Sequence, residues 1–332
     1  MQATLIIPVF NGMKYFSFFK KNIIDIYNDP KYEIIVVDDG SNDLFHENLL
    51  KDFPNILYFY QKNQGSGIAR NYGIKKATKD LVMFMDVDDE INKPELDHVI
   101  SKIDGSIDIN CFQAKRIHIA QNNKEVFWKK EVFKDEYIGP AFGSPNIIID
   151  SIVMNKIFRR DFLIQSKVVF PEGKYEDKIF LTKLFLKNPL ISINNVCFYK
   201  WMVFPNSVSQ TNTKDIDDIN QRFDSCEYQL FLAKDTPFFD VILSNIYNHD
   251  ISLYSHNYKK MEPELKKLIF KRFLIFKQYH PVKNLSINGK IIYKSDSYKQ
   301  LCKAMKRIDK NNPLNIIKKA IFKNIIIIMK FF

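Results

Sequence analysis

Four short apolar runs mark the first ninety positions, and each gives way to polar residues. They are Leu5-Ile6-Ile7-Pro8-Val9-Phe10 before Asn11-Gly12, Tyr32-Glu33-Ile34-Ile35-Val36-Val37 before Asp38-Asp39-Gly40-Ser41, Ile56-Leu57-Tyr58-Phe59-Tyr60 before Gln61, and Leu81-Val82-Met83-Phe84-Met85 before Asp86. Continuous runs of this length predict strands of a parallel sheet, and the runs at Leu5 and Leu81 read as strands buried on both faces. Between them lie helical patterns over residues 14–27, 44–52 and 68–78; the first spaces Phe16, Phe19, Ile23, Ile24 and Tyr27 as one core-facing stripe and stops at Asp29-Pro30. Strand, helix and strand in this order predict βαβ units, an α/β class and right-handed crossovers. After Pro94 the spacing predicts a helix over 94–103, an antiparallel pair of strands around 107–119 and 125–133, and a turn over 139–145. A helix over 150–165 with Lys156, Arg159 and Arg160 outward follows, then a helix from Glu176 through Phe185, a strand over 191–201 and a loop over 205–209. From Asp215 onward helices are expected at 216–234, 238–257, 262–279 and 296–308, and a basic amphipathic helix at 314–332. The chain thus divides into a sheet-bearing part, 1–212, with halves 1–100 and 101–212, and a helical part, 213–332.

Chemistry concentrates where the predicted strands end. Asp86, Asp88 and Asp89 follow the fourth strand directly, and ligands of open α/β sheets gather at the carboxyl ends of strands. Three carboxylates in four residues repel one another unless a cation or donors offset them, and oxygen ligands suit Mg²⁺ or Mn²⁺. Gly65 and Gly67 permit close backbone approach to a phosphate at the start of a helix, with Arg70 placed to add a charged contact. The GxGxx stretch ends in Arg70 rather than glycine and follows the third strand, which argues against a dinucleotide fold. Glu176 and Asp177 open a helix, where capping alone would suit them.

Charge sharpens this picture. The 332 residues carry a formal +11, yet residues 251–332 hold 19 Lys+Arg against 4 Asp+Glu, so the first 250 are net acidic. An acidic front part without a basic, aromatic stripe argues against nucleic acid as partner. Cys111, Cys197, Cys226 and Cys302 are widely spaced with no CxxC pair, which predicts buried thiols rather than a zinc site. The start lacks a basic n-region and no run reaches the ~18 apolar residues of a membrane span, so a cytoplasmic location is expected. Apolar residues widen to nearly the whole circumference of the 314–332 helix near its end, which predicts peripheral attachment to an anionic membrane.

Taken in order, Ile7-Pro8-Val9-Phe10-Asn11, Val36-Val37-Asp38-Asp39-Gly40-Ser41, Asn63-Gln64-Gly65 through Ala69-Arg70-Asn71, Met85-Asp86-Val87-Asp88-Asp89 and Glu176-Asp177 resemble the family 2 glycosyltransferases. These are inverting enzymes with the GT-A nucleotide-sugar fold, a mostly parallel sheet flanked by helices. The resemblance covers residues 3 to about 95 and returns at 155–209, with Asn155-Lys156-Ile157-Phe158-Arg159-Arg160 and Asn206-Ser207-Val208-Ser209. It implies that Pro8, Phe10, Asp38 or Asp39 and Arg70 hold the nucleoside, with Asn63, Gly67, Asp86 and Val87 also in the nucleotide-sugar site. It further implies that Asp86 and Asp88, the DxD pair, hold Mn²⁺ or Mg²⁺, that Asp177 is the base for the acceptor hydroxyl, and that Glu176 supports it. The donor implied is a UDP-hexose and the acceptor a glycan or lipid-linked glycan of a bacterial surface, such as lipooligosaccharide or capsule. No Gln-x-x-Arg-Trp motif of processive synthases occurs, which favours transfer of a single sugar. Two rivals are a sugar-phosphate nucleotidyltransferase, disfavoured by the single glycine of the first loop, and a non-catalytic membrane-associated scaffold, disfavoured by the full set of carboxylates.

Overall fold

A computed structural model describes residues 1–204, 215–251, 254, 261–279, 300 and 303. The loop expected at 205–209, the helix at 314–332, most of the helix at 296–308 and Cys302 lie outside the described residues. The chain forms two compact units, Met1–Gln210 and Thr211–Phe332.

The first unit is built on one sheet in the order β3-β2-β1-β4-β9-β6-β10-β5. Strands β1 (Ala3–Val9), β2 (Tyr32–Asp38), β3 (Leu57–Tyr60) and β4 (Leu81–Phe84) are mutually parallel, as their apolar runs predict. Every residue of β1 is buried, because α1 (Phe16–Tyr27), α2 (Phe45–Asp52) and α3 (Ser66–Lys76) cover the sheet. Phe16 meets Phe45 edge-on at 5.5 Å, and Gly73 lets α3 settle so low that a Cβ there would lie 2.4 Å from Ile6. The second half is mixed. It comprises β5 (Glu90–Ile91), β6 (Ile109–His118), β7 (Lys124–Trp128), β8 (Tyr137–Pro140), β9 (Lys156–Arg159) and β10 (Leu190–Val203), with α4 (Lys93–Lys102), α5 (Arg160–Ser166) and α6 (Glu176–Phe185). Strand β9 runs antiparallel to both β4 and β6 and joins the two halves, while β6 and β10 are parallel.

The helix expected over 150–165 is thereby corrected. Residues 156–159 are a strand and only 160–166 are helical, because a short apolar stretch buried on both sides carries no period that separates strand from helix. Lys156 is not outward either. Its side chain is fully buried and donates to Asp150 Oδ2 at 2.6 Å, Ile152 O at 2.6 Å, Asn155 Oδ1 at 3.0 Å and Asp150 O at 3.2 Å. The strand expected at 125–133 stops at Trp128, where Lys129 takes a left-handed φ of 46°.

The second unit contains α7 (Ile216–Leu232), α8 (Phe239–Asn245), which runs into a π-helical turn (Ile246–Asp250), and α9 (Pro263–Tyr279). Asp215 caps α7 by accepting from Asp218 N at 2.6 Å, and Tyr247 meets Phe276 at 5.6 Å in its apolar interior. Among the described residues no helix is long and apolar enough to cross a membrane.

Candidate functional site

The carboxyl ends of β1 and β2 carry loops that hold one another. Asn11, at φ 49°, donates its N–H to Ser41 Oγ at 2.8 Å and accepts from Asn42 N at 2.9 Å, while Met13 N donates to Asp43 at 2.8 Å. Pro8 is buried beneath them and Phe10 stands half exposed at their rim. Asp38 and Asp39 are buried, and their oxygens serve the protein itself. Asp38 accepts from Ser41 N and Tyr58 OH; Asp39 accepts from Gln61 Nε2 at 2.7 Å, Gln64 N at 2.8 Å and Gly65 N at 2.7 Å. These bonds shape the loop that precedes α3, leaving the exposed Asn63 at its surface.

Gly65 adopts φ +95°, which a side chain would resist. At Gly67 the start of α3 presses against the protein, since a Cβ there would lie 2.9 Å from Glu176 Cγ and 3.0 Å from Pro171 O. The approach is pinned by Asn71, whose amide both donates to Phe170 O and accepts from Phe170 N at 2.9 Å.

Arg70, on the next turn of α3, is the hub. Its guanidinium is 3% exposed and donates to Asp86 Oδ1 at 2.8 Å, Asp177 Oδ1 at 2.9 Å and Glu176 Oε1 at 3.0 Å. Burial works against its charge, but Asp177, Asp86 and Glu176 more than offset this and hold its pKa above the ordinary value. Glu176 also accepts from Ser66 Oγ at 2.6 Å. Both acidic residues start α6, where the helix dipole favours negative charge, just after Tyr175 at a left-handed φ of 66°. A bulky residue in that conformation costs about 1–3 kcal/mol and marks a turn the surroundings impose. Burial pushes Asp177 up to about 7; Arg70 restrains the rise, Glu176 and Asp86 add to it, and a hydrogen bond from the Val153 backbone lowers it.

The three carboxylates after β4 separate into different roles. Asp89 is buried, accepts from Met202 N at 2.8 Å and from the Tyr199 hydroxyl, and is held well above its usual pKa by burial and by Asp86 and Asp88. It locks the turn to β10. Asp86 faces Arg70, with Val87 buried beside it. Asp88 is pushed up to about 6 by burial first and by the charge of Asp86 second. Asp86 and Asp88 therefore fit a hard divalent cation, which would offset the crowding that raises Asp88. Among the described residues no cluster of three His, Cys, Asp or Glu groups surrounds them, so such an ion would draw on ligand or water oxygens as well.

Residues 4–166 match the family model named Glycosyl transferase family 2. That segment is similar to the family 2 glycosyl transferases. The sequence is 28% identical over 214 residues to a cholesterol galactosyltransferase of Borreliella burgdorferi, and the match spans 60% of this chain but only 59% of that relative. It is 27% identical over 202 residues to the poly(ribitol-phosphate) beta-N-acetylglucosaminyltransferase TarS of Staphylococcus aureus, covering 58% of this chain and 34% of TarS. In three dimensions the chain resembles residues 1–349 of S. aureus TarS in complex with UDP-GlcNAc, with a TM-score of 0.66 at 21% identity over 97% of this chain and 88% of that one. The first unit has a GT-A-like fold: a curled sheet, parallel where β1 to β4 meet, with flanking helices.

Sequence reasoning missed three parts of the domain's candidate site. Tyr199, which donates to Asp89 and accepts from Asp86 N at 3.4 Å, sits inside an ordinary strand pattern that carries no local signal of that role. Ser66 carried no signal apart from its place at the start of α3. The buried Asp150–Lys156 pair could have been suspected from a lysine flanked by Ile152, Val153, Met154, Ile157 and Phe158.

Proposed function

We propose that the chain is an inverting glycosyltransferase that moves a single hexose from a nucleotide diphosphate sugar, a UDP-hexose, to a glycan or lipid-linked glycan of a bacterial surface. One observation carries the reading: a single buried guanidinium, Arg70, ties Asp86 of the DxD pair to Glu176 and Asp177, so the donor-side and base-side carboxylates meet at one point. The family match and the likeness to a TarS structure that holds UDP-GlcNAc support it. The named acceptors of the relatives, cholesterol and poly(ribitol-phosphate), differ so widely that the acceptor must be read from this chain itself.

In the mechanism, Asp177 accepts the proton of the acceptor hydroxyl while that oxygen forms its bond to the anomeric carbon and the bond from that carbon to the diphosphate oxygen breaks on the opposite face. A pKa near 7 suits a base that must be unprotonated yet basic enough to take a proton. Arg70 fixes the orientation of Asp177, and Glu176, held by Ser66 and Arg70, keeps the guanidinium in place. Pro8, Phe10, Asn63 and the loop shaped by Asp38, Asp39, Gly65 and Gly67 frame the nucleoside, and Asp86, Val87 and Asp88 face the diphosphate. Bound at Asp86 and Asp88, Mn²⁺ or Mg²⁺ would neutralise charge on the departing nucleoside diphosphate. The chain acts in the cytoplasm, peripherally attached to the membrane.

The test is hydrolysis and transfer with a panel of UDP-sugars. Turnover should need Mn²⁺ or Mg²⁺, stop in excess EDTA, fall sharply in Asp88→Ala and release nucleoside diphosphate. Unchanged turnover in EDTA and in the variant would remove the metal assignment; release of pyrophosphate would make the chain a nucleotidyltransferase, and absence of nucleotide-sugar binding would make it a scaffold.

A further inference from the structure

The chain contains two tryptophans, and the fold brings both to one arginine. The Arg116 guanidinium of β6 lies 4.5 Å from the ring of Trp201 on β10 and 5.5 Å from that of Trp128 on β7, and the two indoles meet edge-on at 5.4 Å. Register explains the convergence. Arg116 pairs with Trp201 across the parallel β6–β10 ladder, and Trp128 pairs with Ala114, two residues from Arg116, so all three side chains leave the same face. The group is built to last: the Trp128 indole N–H donates to Asp150 Oδ1 at 2.9 Å, and Asp150 is in turn held by Lys156.

No carboxylate among the described residues pairs with Arg116, and its buried Nε has no hydrogen-bond partner. The nearby acids are engaged elsewhere: Glu125 with Lys115 and Glu90 with Lys200, pairs that alternate onto the other face of β6, β7 and β10. Desolvation lowers the Arg116 pKa, and its charge together with that of Lys124 helps lower that of His118. A half-buried guanidinium between aromatic rings, with donors to spare and no counter-charge among the described residues, is suited to a planar or tetrahedral oxyanion, while indole rings suit the apolar face of a sugar ring. The place is also suitable. Trp201 is two residues from Tyr199 on the same face of β10, about 7 Å along the strand, and the Tyr199 hydroxyl contacts Asp89 and the backbone of Asp86.

We propose that Arg116, Trp128 and Trp201 form an acceptor subsite for a sugar unit that carries an anionic group, a phosphate or a carboxylate. The inference rests on the glycosyltransferase reading and names the class of its acceptor. The negative group docks on Arg116, the ring lies against the indoles, and the next hydroxyl along the glycan reaches toward Asp177.

Because both tryptophans lie here, intrinsic tryptophan emission reports on this subsite. The full chain is titrated with glucose 6-phosphate, glucuronate and neutral glucose, each with the donor site saturated by UDP. The two anionic sugars should change the emission in a saturable way and glucose at the same concentrations should not. Arg116→Gln should weaken the response at least tenfold, and Arg116→Lys, which keeps the charge but loses the fork, should fall between, each variant first shown to be folded by circular dichroism. Equal titrations in wild type and Arg116→Lys, an equal response to glucose, or a response that appears in a parallel titration without UDP and is absent with it would overturn the proposal, the last by assigning the anion to the donor site. Binding is read without turnover. A chain that binds anionic sugars but hydrolyses no nucleotide sugar would therefore sink the catalytic reading alone, and a turnover-competent chain with silent tryptophans would sink the subsite alone.

Discussion

Replacing Lys156 by methionine removes a charge from the least accessible ionic group in the described structure while keeping nearly the same side-chain length. Both partners of the Asp150–Lys156 pair are 0% exposed, so the substitution leaves the Asp150 carboxylate in the interior with Asn155 Nδ2 and Trp128 Nε1 as its donors. It also strips Ile152 O of the ammonium and leaves Asn155 Oδ1 without that donor. Removing one partner of a buried pair costs about 3–5 kcal/mol, and each acceptor left unsatisfied costs about 1–3 kcal/mol; the groups share one network, so these costs overlap rather than add. The expected loss is therefore about 3–5 kcal/mol, read as a shift of the urea midpoint at constant m-value. Asp150→Asn alone should also destabilise, by leaving an ammonium without its counter-charge. The double variant Asp150→Asn/Lys156→Met should then be less damaged than the two losses combined, by at least about 2 kcal/mol. The pair also bears on chemistry: it fixes residues 150–156, from which the Val153 backbone hydrogen-bonds to Asp177. Additive losses below about 1 kcal/mol each, the range of exposed pairs, would refute the reasoning.

Asp177→Asn keeps a partner for Arg70 but removes the base, and kcat should drop by about 10²–10⁴. Because burial raises Asp177 to about 7, the carboxylate form predominates only above that pH. In wild type, kcat/KM should therefore rise with pH toward a plateau above 7 and fall about tenfold per unit below it; an identical acid limb in the Asn variant would assign the titration to another group. Deleting residues 312–332, a prediction resting on sequence alone, should release the protein from anionic liposomes in a sedimentation assay, and high salt should weaken binding of the full chain. Equal sedimentation of both chains would show that the membrane contact lies elsewhere.

Local pattern made some of this legible and hid the rest for a physical reason. The strands β1, β2 and β4, and the carboxylates at the ends of β2 and β4, could be read because a buried strand and its polar terminus occupy fewer than ten consecutive residues, within which period and chemistry are both visible. Strand β9 could not, since four residues buried between β4 and β6 satisfy a helical pattern equally well. Lys156 was read as outward because lysine is almost never buried unless paired, and whether Asp150 is its partner depends on how the backbone folds between them.

Arg70 shows the limit most clearly. Its residue type and place at the start of α3 suggested a phosphate contact, but two of its three partners lie 106 and 107 residues away along the chain. Once those partners are counted, the electrostatics follow from simple balance. Asp86, Asp88, Asp89, Glu176 and Asp177 bring five carboxylates to connected parts of one site, and Arg70 is the cation in direct contact with three of them. The raised pKa values of Asp88, Asp89 and Asp177 have burial as their first cause, and next to it the excess of negative charge, offset at Asp177 by Arg70. A site in that condition would gain from a cation that replaces a proton at Asp88, and Arg70 restrains the rise of Asp177. One arginine thus limits the charge the site must still have neutralised and positions the group that would take the acceptor's proton.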